Sequence, residues 1–250
     1  MDRQLACPPF RPVAVPMPVP PATITHRSWT RLLTVDRKLP EDIVALLWRS
    51  PRELATMGEP LRQVGARCTV KLSWHDQTYV LKHYVEPTLR HSLKQNVSRS
   101  RACTTWLTAH KLADAGISTP RPVAFVENRL GPFRGDSYLL YPYVVGETLQ
   151  SYLKNDENQQ SLLTGIREQL VAFWSRLRQM RVSLADTNLK NFIVGDLQRL
   201  WVIDVDKVRF HRLTYAAARQ HQRGWQQLTR SAHKTGNAAT HLISEMAKQL

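Results

Sequence analysis

The sequence predicts an α+β protein with an antiparallel-sheet first half and a short, mostly helical second half. Three observations carry this. Strand-like runs gather before residue 145: ARCTVKLSW leads through a His75-Asp76 turn into QTYVLKHY, and an apolar run extends from Tyr138 to Val145. The clearest amphipathic helix, 160–181, comes after them. Beyond it, SLADTNLKNFIVGDLQRLWVIDVDK holds two short apolar stretches, FIV and LWVI, parted by a polar turn at Gly195 and Asp196, which reads as a small hairpin.

Taken in order, residues 1–26 are broken by proline too often for a signal-peptide core, and they read as an extended, largely disordered arm. Residues 27–58 form a helical extension. LPEDIVALLWRS has Pro40 at its first position and Glu41 and Asp42 in its first turn, and Ile43, Leu46 and Leu47 form its packing face. Residues 59–145 make the sheet half. Within it, Ser98 caps a helix that runs to about Ala115, with Trp106, Ala109, Leu112 and Ala113 on one face and Gly116 as the terminator. GISTPRPVAFVE then turns into a strand. Residues 146–236 make the helical half, which opens where Gly146 breaks the 138–145 run and Glu147-Thr148-Leu149 begins a short helix. In the 160–181 helix, Leu163, Ile166, Leu170, Phe173, Trp174 and Leu177 form a core stripe. LTYAAARQHQRGWQQLTRSAHK is a last amphipathic helix, and 237–250 read as a weak, polar tail.

The chemistry is concentrated around the hairpin. Asp186 precedes Asn191 by five positions, and Asp204 follows Asn191 by thirteen, so the strand pair brings all three to one end. A base, an amide and a carboxylate so gathered are what phosphoryl transfer requires: one group to orient the attacking hydroxyl and two oxygen ligands for magnesium. The stretch resembles the catalytic loop and metal-binding segment of the protein-kinase-like superfamily. Its wording, D-x-x-x-x-N-F-I-V followed by I-D-V-D-K, together with GISTPRPVA upstream, is most similar to the lipopolysaccharide kinase (Kdo/WaaP-like) family. The resemblance covers roughly residues 60 to 210.

That resemblance implies a two-lobed kinase-like fold with ATP and Mg2+ between the lobes. It makes Asp186 the catalytic base, Asn191 and Asp204 the magnesium ligands, Lys82 the grip on the α- and β-phosphates, and Lys190 a γ-phosphate contact. The adenine ring would meet backbone groups between Pro142 and Val145. The implied acceptor is a sugar hydroxyl of a lipopolysaccharide core or related glycolipid, reached from the cytoplasm on the inner face of the bacterial inner membrane.

Four departures stand against the general kinase pattern. There is no glycine-rich loop, since only Gly58 and Gly65 precede Lys82. No glutamate lies between Glu86 and Glu127 to pair with Lys82, which leaves Thr108 and His110 as unranked substitutes. Leu184 stands where the loop histidine usually does, and Asn188 replaces the lysine two residues past the base. A pseudokinase, or a small-molecule phosphotransferase of the same fold, is therefore the alternative. The short, basic downstream region disfavours a cationic acceptor, and the lack of an A-P-E segment disfavours a protein acceptor.

Composition sets outer limits. The 250 residues carry a formal net charge of +15, a field that attracts polyanions such as an anionic membrane surface. Arg90, Lys94, Arg99 and Arg101 form one basic group, and Lys207, Arg209, Arg212, Arg219, Arg223 and Arg230 a second. A basic polyanion-binding scaffold is the reading from another class, but no nucleic-acid-binding signature supports a nucleic acid partner. Three scattered cysteines, Cys7, Cys68 and Cys103, argue for a reducing compartment and against zinc. His211, His221, His233 and His241 read as surface residues. No apolar stretch is long enough to span a bilayer, and nothing in the chain signals an oligomeric state.

Overall fold

The computed structural model describes residues 23–65, 67–85, 99–131, 133–154 and 160–249. Residues 1–22 of the proposed arm, Cys7, Arg90, Lys94 and the proposed cap Ser98 lie outside them.

The first lobe is a seven-stranded antiparallel sheet. Its strands are β1 (Thr23–Arg27), β2 (Arg31–Asp36), β3 (Glu59–Val64), β4 (Arg67–Trp74), β5 (Gln77–Tyr84), β6 (Ala124–Leu130) and β7 (Phe133–Pro142). They lie in the order β1-β2-β6-β7-β5-β4-β3. β1 and β2 were not foreseen: residues 23–26 belong to a strand rather than to an extended arm, and β2 is paired with β6 through Leu33↔Val126.

Side chains alternate across a strand, so the sheet has two covered faces. On one, Leu33, Val70, Leu72, Leu81, Val126 and Leu140 pack against Ile43 and Leu47 of α1 (Glu41–Arg49) and Leu54 of α2 (Pro51–Thr56). On the other, Tyr84, Phe125 and Leu139 pack against Ala102 and Trp106 of α3 (Arg101–Asp114). Lys82 falls between Leu81 and Tyr84 on the interior strand β5, opposite Thr69 and Leu139. Alternation therefore sends its side chain to the α3 face.

α3 is fixed at both ends. Ser100, rather than Ser98, is its cap: its hydroxyl accepts from the Cys103 amide (3.1 Å) and donates to Glu127. At the other end the Ile117 and Gly116 amides donate to the carbonyls of Leu112 and Ala113 (both 3.0 Å). Gly116 sits there at φ +81°, a left-handed position that glycine adopts without penalty. The same end is tied to the second lobe, because the Val202 amide donates to Ser118 O (2.8 Å) and Arg176 Nε to Ala115 O (2.8 Å).

The second lobe contains β8 (Glu147–Thr148), α4 (Leu149–Tyr152), α5 (Gln160–Gln179), β9 (Val182–Leu184), β10 (Phe192–Val194), β11 (Leu200–Val202), β12 (Val208–Phe210), α6 (Thr214–Thr235) and α7 (Asn237–Ala247). The predicted hairpin is β10–β11, with Ile193 opposite Trp201, and β8 joins it as a third strand. Ile166, Leu170, Phe173, Trp174 and Leu177 of α5 are buried as expected. Residues 237–247 are a helix rather than a polar tail: Ala239, Leu242, Ile243 and Met246 recur at three- and four-residue spacing and are all buried. His211 and His221 are half-buried rather than at the surface, and His211 Nε2 lies 2.7 Å from Ser183 Oγ.

Candidate active site

A cleft of about 210 Å³ opens between the lobes, lined by Lys82, Asp186, Asp204 and Asp206 together with Arg62, Arg67, Arg101 and Lys207. Residues 122 positions apart in the chain thus face one another.

Asp204 lies two residues past the end of β11 and adopts φ 62°, ψ 55°. A left-handed residue other than glycine costs roughly 1 kcal/mol, and aspartate is among the few that tolerate it. The unfavourable backbone aims the carboxylate at the first lobe, where Lys82 Nζ donates to Oδ1 at 2.7 Å. Burial by itself would raise the Asp204 carboxyl, but the charge and hydrogen bond of Lys82 outweigh it and hold the group below 3.8, its ordinary value.

Asp206 is the residue that sequence reasoning missed. Its Oδ2 lies 2.9 Å from Lys82 Nζ and 3.8 Å from Arg101 Nη2. Its Oδ1 accepts from Tyr84 Oη at 2.8 Å and from Thr105 Oγ1 at 3.5 Å. Burial pushes the Tyr84 phenol well up, and Asp206 adds to the rise, so Tyr84 remains a donor at any working pH. Lys82 is desolvated, which alone would lower its pKa; Asp206, Tyr141 and Asp204 reverse the effect, and the ammonium is held charged. The missing α3 glutamate is thus replaced from the other lobe. Neither Thr108 nor His110 takes that place, since both are buried and His110 Nδ1 lies 2.9 Å from Trp106 O of its own helix. The available signal was the pair of aspartates two positions apart in I-D-V-D-K.

The Asp186 loop is held by α6. Gln227 Nε2 donates to Asp186 Oδ1 (3.1 Å), and Thr187 Oγ1 donates to Gly224 O (2.6 Å). Ser231 Oγ donates to Asn188 Oδ1 (3.0 Å) and accepts from the Leu189 amide (3.1 Å). Gly224, Gln227 and Ser231 share one helix face at positions i, i+3 and i+7. Asn191 Nδ2 donates to Asp186 O (3.1 Å), and Asn191 O accepts from the Ile203 amide (2.9 Å), one residue before Asp204. Asp186, Asn191 and Asp204 are therefore fastened into one loop cluster. Lys190 is not drawn in: it is exposed in the short 3-10 turn Leu189–Asn191 and does not line the cleft.

Magnesium takes hard oxygen ligands in few-ligand protein sites, with phosphate oxygens and water completing the shell. The Asn191 side chain is buried in the same loop cluster and is not among the residues that line the cleft. Its amide nitrogen is committed to Asp186 O, which leaves its oxygen as the atom it has to offer alongside the Asp204 carboxylate. Among the described residues no group of three or more His, Cys, Asp or Glu forms a closed metal cage.

Residues 48–246 match the model of the lipopolysaccharide kinase (Kdo/WaaP) family. The chain belongs to that family. Its matched relatives include the lipopolysaccharide core heptose(I) kinase WaaP of Escherichia coli K12, 28% identical over 105 residues, or 39% of this chain and 40% of that protein. The 3-deoxy-D-manno-octulosonic acid kinase of Vibrio vulnificus is 25% identical over 175 residues, covering 64% of this chain and 72% of the relative. The corresponding kinase of Vibrio cholerae is 24% identical over 109 residues, 44% of this chain and 45% of that protein. The match thus spans less than half the length of two of these three relatives. The matched relatives are named as kinases.

Proposed function

We propose that the protein transfers the γ-phosphoryl group of ATP, with magnesium, to a sugar hydroxyl of a lipopolysaccharide core or related glycolipid. The observation that carries this reading is the convergence of Lys82, Asp204 and Asp186 on one cleft. The magnesium nucleotide supplies the phosphoryl group and an ion that offsets charge on its oxygens. The protein supplies position and field.

Lys82 would grip the α- and β-phosphates, kept charged and in place by Asp206, which would leave Asp204 available to the ion. Arg62, within β3, and Arg67, the first residue of β4, line the cleft from the hairpin that would take the place of a glycine-rich loop. Two guanidiniums there bind phosphate oxygens directly, a task that backbone amides perform in glycine-rich loops. Asp186, its carboxylate oriented by Gln227, aligns the acceptor hydroxyl and takes its proton. Asn191 and Asp204 would hold the ion. Lys190 reaches the γ-phosphate only if its exposed side chain swings toward the cleft.

The test is transfer of labelled γ-phosphate from ATP to purified core glycolipid. Asp186→Asn is expected to lower turnover by about a hundredfold to ten-thousandfold with nucleotide affinity retained. Asp204→Asn is expected to abolish the magnesium-dependent part of nucleotide stabilisation in a thermal melt. Unchanged rates in both variants refute the assignment. Magnesium-nucleotide stabilisation with no transfer to any sugar acceptor would make the protein a non-transferring nucleotide binder.

A further inference from the structure

The chain between Asp206 and Glu245 holds seven lysines and arginines and no aspartate or glutamate. Nearly half of the formal net charge of +15 thus sits on one stretch. Within it is a short segment of a different character. Phe210, Leu213 and Tyr215 are 39%, 71% and 80% exposed, the only three large apolar side chains so exposed within six consecutive residues of the described chain. Arg209 and Arg212 alternate with them and are also exposed. Lys111 of α3 lies 3.9 Å from the Phe210 ring centre, and Arg219 follows Tyr215 by one helical turn.

The segment is held rigidly. β12 pairs with β9 through Val208↔Leu184, Arg209↔Ser183 and Phe210↔Val182. The His211 amide donates to Arg181 O (2.9 Å), and Arg181 Nη1 donates to Arg212 O (3.2 Å). Leu184 lies two residues before Asp186, and Lys207, just ahead of β12, lines the cleft. The exposed segment is therefore built onto the strand that delivers the proposed base.

We infer that Phe210, Leu213 and Tyr215, with Arg209, Arg212 and Lys111 around them, form a membrane-docking surface that seats on an anionic bilayer beside the cleft. The arrangement combines charge attraction at the headgroups with apolar and aromatic side chains at the acyl boundary. A single exposed leucine is ordinary on a protein surface, but three large apolar side chains within six residues inside a cationic ring match a lipid interface, which takes up both components. Nucleic acid would use the cations but offers an exposed leucine nothing. The inference rests on the lipid-linked acceptor reading only for its purpose. Vesicle binding requires neither ATP nor acceptor, so failure of either reading shows separately.

The experiment is sedimentation of the full chain with phosphatidylcholine vesicles that contain or lack phosphatidylglycerol. Binding is expected only to the anionic vesicles and is expected to weaken as salt is raised. Leu213→Ser with Tyr215→Ser, and separately Arg209→Gln with Arg212→Gln, are each expected to weaken it roughly tenfold with the melting temperature unchanged. Arg52→Gln, an exposed charge on α2, serves as the control and is expected to bind as wild type does. The inference is overturned if wild type ignores anionic vesicles, if the Leu213/Tyr215 variant binds undiminished, or if Arg52→Gln loses as much. Tight duplex RNA binding without vesicle binding would also overturn it.

Discussion

At the scale of single residues, the main finding is that Lys82 has two carboxylate partners from one segment. Asp204 is the one a metal ion would claim, and Asp206 is the one left to hold the lysine. Asp206→Asn keeps the shape and removes the charge, so Lys82 is left with a single partner that must also serve the ion. Magnesium-ATP affinity is expected to fall roughly tenfold to a hundredfold, with a smaller change in turnover of bound nucleotide, read from KM and kcat separately. Removing the cation is more severe. Lys82→Met removes the ammonium shared by Asp204 and Asp206 and leaves Asp206 with Tyr84, Thr105 and the more distant Arg101, at a stability cost of about 3 kcal/mol. Lys82, Asp186 and Asp204, which line one cleft, were expected, the two aspartates with Asn191 from their spacing and Lys82 from the family resemblance. Asp206 and Gln227 were not. Their partners lie 122 and 41 positions away, and only folding brings such pairs together. Lys190 was chosen for closeness in sequence, but the 3-10 turn leaves it outside the cleft.

At the scale of elements, α3, α5 and the β10–β11 hairpin were read correctly from periodicity, because each buries one stripe or one face. β1 and β2 were hidden. TITHRSWTRLLTVD has too few apolar residues on alternate positions to stand apart from the proline-rich stretch before it, and β2 gains its burial only from β6. α7 shows the opposite failure: its i, i+3, i+4 and i+7 pattern was present, but short helices hold only through tertiary packing, which a sequence does not display. The turn before β8 offers a test at this scale. Gly146 lies at φ +147°, and a methyl group there would come within 2.3 Å of Val194 O and 2.9 Å of Gly195 Cα. These are backbone atoms and cannot rotate away. Gly146→Ala is therefore expected to cost about 3 kcal/mol in chemical denaturation and to loosen the strand that leads out of the Asp186 loop.

At the scale of the whole molecule, the Lys82–Asp204 pair joins the two lobes, and its pH dependence follows from the shifts on each side. Lys82 is raised in the fold, so its contribution is present below 10.5, its ordinary value, and fades only as pH climbs through the higher folded value. Asp204 is lowered, so its contribution is present above 3.8 and is lost as pH falls through the depressed value. The stability difference between wild type and Asp204→Asn is expected to stay flat from about pH 5 to 9 and to shrink in acid. A difference that varies through neutrality would show that another titrating group governs the contact.

α3 carries a mechanical consequence. Its first turns sit in the sheet core with Trp106, and its last turn sits in the helical core with Leu112 and Ile117. One rod is thus embedded at either end in a different body, and the gap across which Lys82 meets Asp204 is set by its length. A rod anchored in both cores resists separation of the lobes along its axis. Adding or deleting a single residue within α3 would rotate one body against the other by about 100° of helical phase, and the lysine would then miss its carboxylates altogether.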